Sequence, residues 1–247
     1  MALAEGVPGE EVRGPAGAYW LSRRSLDQLS PADVSAQKDL LAVLRGARQR
    51  FDELEASPAL CHVADGPPEG PLFLHIESAA TEEGGIFLIG LMACRHDQLV
   101  FDQLLARHCG EEPAILDAFA QRLRRARTLV SFSARASDMT RIRKRAAFHG
   151  LELPPAPPHL DIRRESRRRW RGQLPNFRLR TLEHYLCRRH RTGQIPQAQI
   201  PQAYRSFVAT GEARGIQAVT HHNLLDLLTM GQLVCRLLTN EQPDVDL

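Results

Sequence analysis

The sequence predicts a mixed α/β fold in which helices cover a sheet of parallel and antiparallel strands. Two observations predict it. Short apolar segments typical of strands recur between residues 72 and 162, and segments with helical spacing alternate with the later ones. After residue 162 the spacing of apolar residues is helical throughout. We therefore expect a sheet flanked by helices, with a helical C-terminal part and an N-terminal helical extension.

The first 66 residues are expected to form a tail and a helical extension. Residues 1–18 are rich in Gly, Pro and Glu, a composition typical of a mobile tail. Ser30 is a candidate N-cap, and the apolar residues that follow keep helical spacing to residue 55. A Gly- and Pro-rich break then precedes residue 72. The predicted domains are residues 1–66 and 67–247.

Three strands open the second domain. Leu72–Glu77 and Leu99–Leu105 are short, mainly apolar segments, and Ile86–Cys94 is the longest apolar run, with nine residues. Residues 111–127 follow as a helix, because their apolar positions recur on one side. Thr128–Ser133 then predicts a further strand.

The remaining elements alternate once more and then become helical. Residues 138–149 predict a helix that ends at Gly150, whose missing Cβ suits a helix terminus. His159–Ile162 predicts a short strand after a Pro-rich turn. The later helices are predicted at 163–171, 178–188, 199–210 and 221–239.

Composition and cysteine usage exclude several classes of protein. The chain has 247 residues, of which 43% are hydrophobic and 25% charged, which is ordinary for a globular protein. Its five cysteines form no CxxC pair, a pattern typical of reduced thiols and not of a structural zinc site. The acidic N-terminus lacks the apolar core of a signal peptide, and a membrane span needs about 20 apolar residues. We expect a cytoplasmic protein without a membrane partner.

Positive charge is concentrated between Arg163 and Arg191, where eleven arginines stand against two glutamates. The planar guanidinium fork of arginine suits phosphate groups, so this segment predicts contact with nucleic acid. Trp170 and Tyr185 lie within the segment, where they either stack on bases or belong to the core. The alternative interpretation of the whole segment is a solvated surface on a chain that favours arginine.

Three carboxylates stand out from their apolar surroundings. Strand alternation puts His75 and Glu77 on one face, Asp138 begins a helix, and Asp226 lies inside a very apolar helix with His222 four residues before it. Converging carboxylates of this kind hold Mg²⁺ or Mn²⁺ in two-metal phosphoryl transfer. Simpler roles are also open. Asp138 could simply begin a helix, Asp226 could pair with an arginine, and Glu77 could be the exposed end of a strand.

Several segments, in the same order along the chain, match the motifs of one known family. The family's FLDIETTGL stands here as Phe73-Leu-His-Ile-Glu-Ser-Ala-Ala, and its FLIGLG stands as Phe87-Leu-Ile-Gly-Leu-Met. Its LVTFNGKSFD is similar to the segment from Leu129 to Asp138, and its EHNxLDLLSL to the segment that begins at His221. Residues 72–238 therefore resemble the YprB-type ribonuclease H-like family, predicted exonucleases of the DEDD superfamily. The resemblance implies a ribonuclease H-like mixed sheet flanked by helices.

The resemblance also implies roles for the site residues. Glu77, Asp138 and Asp226 would hold two Mg²⁺ or Mn²⁺ ions, and His222 would act as the base. The family's first acidic position is His75 here, and a neutral imidazole with one lone pair cannot bridge two ions as a carboxylate does. His75 is then a candidate ligand for an ion that tolerates imidazole. The candidate nucleic-acid contacts are Arg135, Arg163, Arg164, Arg167, Arg168, Arg169, Arg178 and Arg180.

Two functions stay open at this point. The first is a metal-dependent 3′–5′ exonuclease that hydrolyses nucleic-acid phosphodiesters. The second is a catalytically inactive ribonuclease H-like module that binds DNA or RNA through its basic surface. The predicted helix at 31–55 could also bind a protein partner, which the residues do not identify.

Overall fold

A seven-stranded mixed sheet lies at the centre of the chain. The computed structural model describes residues 1–25, 34–46, 57–79, 85–132, 138–189, 191, 193–239 and 241–244. The strands are β1 Glu10–Gly14, β2 Gly17–Ser25, β3 Pro71–Ser78, β4 Ile86–Arg95, β5 Gln98–Leu105, β6 Thr128–Ser131 and β7 His159–Asp161. Their order is β1-β2-β5-β4-β3-β6-β7, and β6 pairs in parallel with both β3 and β7. The predicted mixed sheet is confirmed.

Helices cover both faces of this sheet. They are α1 Leu3–Gly6, α2 Val34–Gly46, α3 Pro58–Ala64, α4 Glu112–Leu123, α5 Asp138–Phe148, α6 Ile162–Arg169, α7 Leu179–Cys187, α8 Ile200–Thr210 and α9 Arg214–Thr239. Most predicted boundaries from residue 72 onward agree within a few residues. The last helix begins seven residues earlier than expected, at Arg214 and not at residue 221. The predicted cap Ser30 and the strand end Ser133 lie outside the described residues.

The predicted N-terminal tail is wrong. Residues 1–18 contain α1, β1 and the start of β2, and β2 pairs with β5 from Trp20 opposite Leu105 to Ser25 opposite Val100. The edge strand β1 is mostly exposed, so its sequence carries no apolar alternation that would reveal a strand. The division at residue 66 stays a prediction, although strands from both sides of it share one sheet.

The two faces of β3 pack against different helices. Leu72, Leu74 and Ile76 join the apolar cluster that contains residues of α4 and α5. Phe73, on the other face, joins the cluster that contains the apolar residues of α9. His75 and Glu77 share the Phe73 face because strand side chains alternate. The sequence predicted this division, and it turns the two polar side chains towards α9.

Gly90 in the middle of β4 allows α9 to approach the sheet closely. A Cβ atom at this position would lie 1.9 Å from Oδ1 of Asn223, which is fully buried on α9. Asn223 donates from Nδ2 to the carbonyl oxygen of His75 at 3.1 Å, and Gln103 donates to Asn223 Oδ1 at 3.1 Å. These bonds fix α9 against β3. Asp226, three residues later on α9, is thereby placed beside His75.

Two aromatic residues in the basic segment belong to the protein interior to different degrees. Trp170 is fully buried and donates from its indole nitrogen to the carbonyl oxygen of Glu241. The alternative that assigned Trp170 to the core is therefore confirmed. Tyr185 is half-buried against the ring of His184.

The five cysteines are free thiols, as expected. Within the described part of the chain, no helix has the length and apolar character needed to span a membrane.

Candidate functional site

Three elements bring the predicted polar residues to one place. His75 and Glu77 come from the C-terminal half of β3, Asp138 is the first residue of α5, and His222 and Asp226 come from α9. Glu77 and His222 are almost completely buried, with side chains 2% and 3% exposed. The interpretation of Glu77 as an exposed strand end is therefore wrong.

His75 lies at the centre of this group. Its Nε2 is 3.2 Å from Oδ2 of Asp226 and 3.4 Å from Oε1 of Glu77, and its Nδ1 is 3.9 Å from Oδ2 of Asp138. His222 Nε2 is 3.4 Å from the same oxygen of Asp226. The structure thus brings together all five residues that the sequence singled out. We call them the His75 cluster. Its centre is an imidazole and not a carboxylate.

Arg191 enters the same site from the segment after α7. It donates from Nη1 to Asp226 Oδ1 at 2.6 Å, from Nε to Glu183 at 2.8 Å, and from Nη2 to Thr229 Oγ1 at 2.8 Å. Its side chain is 3% exposed. The sequence analysis treated Arg191 only as part of the basic segment. The pairing of Asp226 with an arginine, which was one open alternative, is confirmed.

The charges of the cluster follow from burial and proximity. Burial by itself would lower the pKa of the His75 imidazole, but contacts with Asp226 and Glu77 raise it well above its usual value. Burial alone would raise the pKa of Asp226, but the contact with His75 and the charges of His222 and Arg191 lower it. Burial raises the pKa of Asp138 to about 6. Burial lowers the pKa of His222, which favours its neutral form.

These residues do not fit the two-ion site that the resemblance implies. Both oxygens of Asp226 already contact protein cations: Oδ1 contacts Arg191, and Oδ2 contacts His75. Throughout the described ranges, no group of three or more His, Cys, Asp or Glu side chains is arranged to hold a metal ion. The imidazole of His75 also cannot bridge two such ions.

One feature of the cluster distinguishes it from an ordinary buried salt bridge. Both ring nitrogens of His75, Oε1 of Glu77, Oδ2 of Asp138 and Nε2 of His222 are buried, and none has a hydrogen-bond partner among the described residues. Their short separations are therefore electrostatic contacts without hydrogen-bond geometry. Such contacts stabilise the cluster only while His75 carries a positive charge between the carboxylates.

A cavity of about 530 Å³ opens beside the cluster and is lined by arginines. Its walls include Arg163, Arg178 and Arg180 together with His222 and Asp226. Arg178 and Arg180 are exposed, whereas Arg163 donates to the carbonyl oxygen of Phe177 at 3.0 Å. Three of the predicted nucleic-acid contacts thus lie directly next to the acidic site.

The other predicted contacts lie farther along the same basic surface or outside the described residues. Arg164, Arg167 and Arg168 are exposed on α6, and Arg168 pairs with Glu165 at 2.6 Å. Arg169 is half-buried on the same helix. The last predicted contact, Arg135, lies outside the described residues.

The different environments of His75 and His222 predict pKa shifts in opposite directions. We expect His75 to remain protonated above pH 6.5 and His222 to be neutral at that pH, because neighbouring carboxylates dominate at His75 and burial dominates at His222. The stabilising charge of His75 is then fully present below its unfolded pKa and is lost as pH rises through the higher folded pKa. Histidine ¹³Cε1 NMR titration measures both values, and His75→Gln and His222→Gln assign the signals.

The variant Asp226→Asn tests the cause of the raised pKa, because it removes the negative charge nearest to His75. We expect it to lower the pKa of His75. An imidazole of His75 that titrates below pH 6.5 in the unmodified chain contradicts the arrangement of charges.

Comparisons with known proteins identify a family for most of the chain. A family model described as "RNase_H superfamily" matches residues 72–238. The uncharacterized protein YprB of Bacillus subtilis (strain 168) is 26% identical over 147 residues, which are 59% of this chain and 35% of that protein. The chain therefore spans little more than a third of the length of this curated relative.

Proposed function

Because the chain belongs to the RNase H superfamily, we propose that it binds a nucleic-acid strand in the arginine-lined cavity without hydrolysing it by two-metal chemistry. The observation that carries the proposal is the position of His75 among Glu77, Asp138 and Asp226. In this chain an imidazole and Arg191 supply the positive charge that the carboxylates need.

Binding would rest on the arginines of the cavity and of α6. The guanidinium forks of Arg178 and Arg180 match phosphate oxygens, and both side chains are exposed. Arg167 lies over the ring of Phe177 at 6.0 Å, which holds its guanidinium group on the same surface. His75 and Arg191 offset part of the negative charge of Glu77, Asp138 and Asp226, so the cluster repels phosphate less than three unpaired carboxylates would. The net attraction for phosphate must then come from the arginines of the cavity.

Metal-dependent 3′–5′ exonuclease activity is the second candidate function. One observation favours it: the buried nitrogen and oxygen atoms of His75, Glu77, Asp138 and His222 lack hydrogen-bond partners among the described residues. Nitrogen and oxygen atoms of this kind are donors that Mn²⁺ accepts. The arginine-lined cavity serves both candidates, so the difference between them is in the chemistry and not in the binding.

A nuclease and binding assay on one preparation separates the two functions. The full chain is incubated with 5′-labelled single- and double-stranded DNA and RNA, first with Mg²⁺ and then with Mn²⁺. We expect binding without added metal, no shortening of the strand, and an affinity that falls linearly with salt on logarithmic axes. For single strands, each lost phosphate contact should reduce that slope by about 0.7. Arg178→Ala/Arg180→Ala should therefore weaken binding and reduce the slope.

Three variants serve as controls. Arg205→Ala removes an exposed arginine of α8 whose side chain bonds Gln202, and it should leave binding unchanged. His75→Asp restores the carboxylate of the family motif, and we expect it to introduce Mn²⁺ binding measurable by electron paramagnetic resonance. Stepwise shortening by the unmodified chain that is lost in Asp226→Ala would establish the exonuclease. Binding that does not depend on salt would overturn the proposed binding through arginine–phosphate contacts.

A further inference from the structure

A second cavity lies at the end of β3 that is remote from the His75 cluster. Its volume is about 390 Å³, and it is bordered by Leu72 at the start of β3, by the end of β4 and by residues at the end of α4. Leu72 pairs with Ala93 on β4. Glu77 is five residues farther along β3, which corresponds to about 17 Å. The two cavities are therefore separate places on the sheet.

Three arginines surround one buried carboxylate beside this cavity. Asp102 on β5 is 4% exposed and accepts two hydrogen bonds from Arg23, at 2.6 and 2.9 Å. Arg122 donates to the same carboxylate at 3.2 Å and Arg95 at 3.4 Å. We call these four residues the Asp102 cluster. Its arginines hold the pKa of Asp102 below its usual value against the opposing effect of burial.

One carboxylate cannot satisfy three guanidinium groups, because each of them has five N–H donors. The fork of Arg23 occupies both oxygens of Asp102, so Arg95 and Arg122 share one oxygen at longer distances. Both of these arginines also line the cavity. The Asp102 cluster therefore carries more positive than negative charge, and two of its three arginines line the cavity.

The other charged residues of the cavity leave this excess positive. Arg125 is exposed on its wall and adds a further charge, and Glu69 is the carboxylate that the wall also contains. His96 lies at the turn between β4 and β5 and also lines the cavity. Asp97, its neighbour in this turn, pairs with Arg45. Apart from the Arg45–Asp97 pair, the Asp102 cluster and the charged wall residues thus place Arg23, Arg95, Arg122 and Arg125 against the carboxylates of Asp102 and Glu69.

We propose that this cavity binds a phosphate group through Arg95, Arg122 and Arg125. Asp102 already orients the guanidinium forks of Arg95 and Arg122, so they present N–H donors to an oxyanion at little further cost in side-chain entropy, and the exposed Arg125 adds a third guanidinium group. This site is independent of the strand binding proposed for the first cavity. Its ligand is a phosphate oxyanion, carried either by a nucleic-acid backbone or by a free phosphate compound.

Titration with inorganic pyrophosphate tests the site. Isothermal titration calorimetry on the full chain should show binding, and Arg125→Ala should weaken it about tenfold, as expected for the loss of a charge-assisted hydrogen bond. Asp102 is held by Arg23, Arg95 and Arg122, and Arg125 is exposed, so Arg125→Ala should retain its fold, which circular dichroism verifies. Arg125→Lys keeps the charge but loses the fork, and it should fall between the two.

Matched variants separate this proposal from the first. The double variant Arg178→Ala/Arg180→Ala should still bind pyrophosphate through Arg125. Arg205→Ala should leave pyrophosphate binding unchanged. No pyrophosphate binding by the unmodified chain, or an equal affinity in Arg125→Ala, would overturn the phosphate site. Strand binding at the first cavity would be unaffected by that result.

A single-stranded oligonucleotide without terminal phosphates identifies the source of the phosphate. If Arg125→Ala weakens its binding and reduces the salt slope by about 0.7, the ligand is a backbone phosphate. If Arg125→Ala changes pyrophosphate binding alone, the ligand is a free phosphate compound.

Discussion

Replacing Arg191 with leucine is expected to lower the free energy of unfolding by about 3–5 kcal/mol, because it leaves buried Glu183 without its cation and Asp226 with His75 alone. Glu183 and Asp226 both accept hydrogen bonds from Arg191, and all three side chains are almost completely buried. The backbone carbonyl of Leu225 and the hydroxyl of Thr229 lose a donor as well. Chemical denaturation followed by circular dichroism measures the loss.

A double variant tests whether the unpaired charge is the cause. Glu183→Gln removes one of the two carboxylate charges while its side-chain oxygen can still accept from Thr229. In the Arg191→Leu background this second change should recover part of the lost stability, whereas alone it should destabilise. Arg205→Leu, on the exposed face of α8, should change stability by less than about 0.5 kcal/mol. Equal effects of Arg191→Leu and Arg205→Leu would contradict the buried network.

Gly90→Ala is expected to destabilise the chain by about 3 kcal/mol, because the added Cβ overlaps the side chain of Asn223. That side chain is fully buried and cannot move without losing its bonds to Gln103 and His75. The change therefore combines overpacking with unsatisfied polar groups. Thermal or chemical denaturation measures it, and the amide signal of His75 should shift in the same variant.

Two comparisons isolate the contact between Gly90 and Asn223. Gly46→Ala adds a Cβ at the end of α2 that would meet nothing within 4 Å, so its effect should stay within about 1 kcal/mol. In an Asn223→Ala background the overlap is gone, and Gly90→Ala should cost much less than it does alone. Additive effects of these two substitutions would show that α9 does not approach β4 at this point.

Local patterns were sufficient for most elements after residue 72. The run Ile86–Cys94 and the alternation in Leu72–Glu77 each reflect burial of a whole strand or of one face, and both appear as strands at the expected places. The same alternation correctly placed His75 on the face that turns to α9. These features can be predicted from the sequence because each depends on residues that are neighbours along the chain.

The N-terminal hairpin could not be predicted from local patterns. β1 lies at the edge of the sheet with mostly exposed side chains, and β2 depends on pairing with β5, which is about 80 residues away. Arg23 of β2 then pairs with Asp102 of β5. Neither interaction produces hydrophobic periodicity in the local sequence, so the prediction of a tail rested on composition alone.

By itself the sequence determined the mixed sheet, the helical second half and the five polar residues of the His75 cluster as candidates. It determined these because hydrophobic periodicity and spacing along one strand or helix are local properties. Tertiary structure alone decided that His75 lies between the carboxylates, that Arg191 takes the second oxygen of Asp226, and that three arginines enclose Asp102. Those contacts join residues far apart in the chain, and their geometry and charge balance exist only once the helices have packed on the sheet.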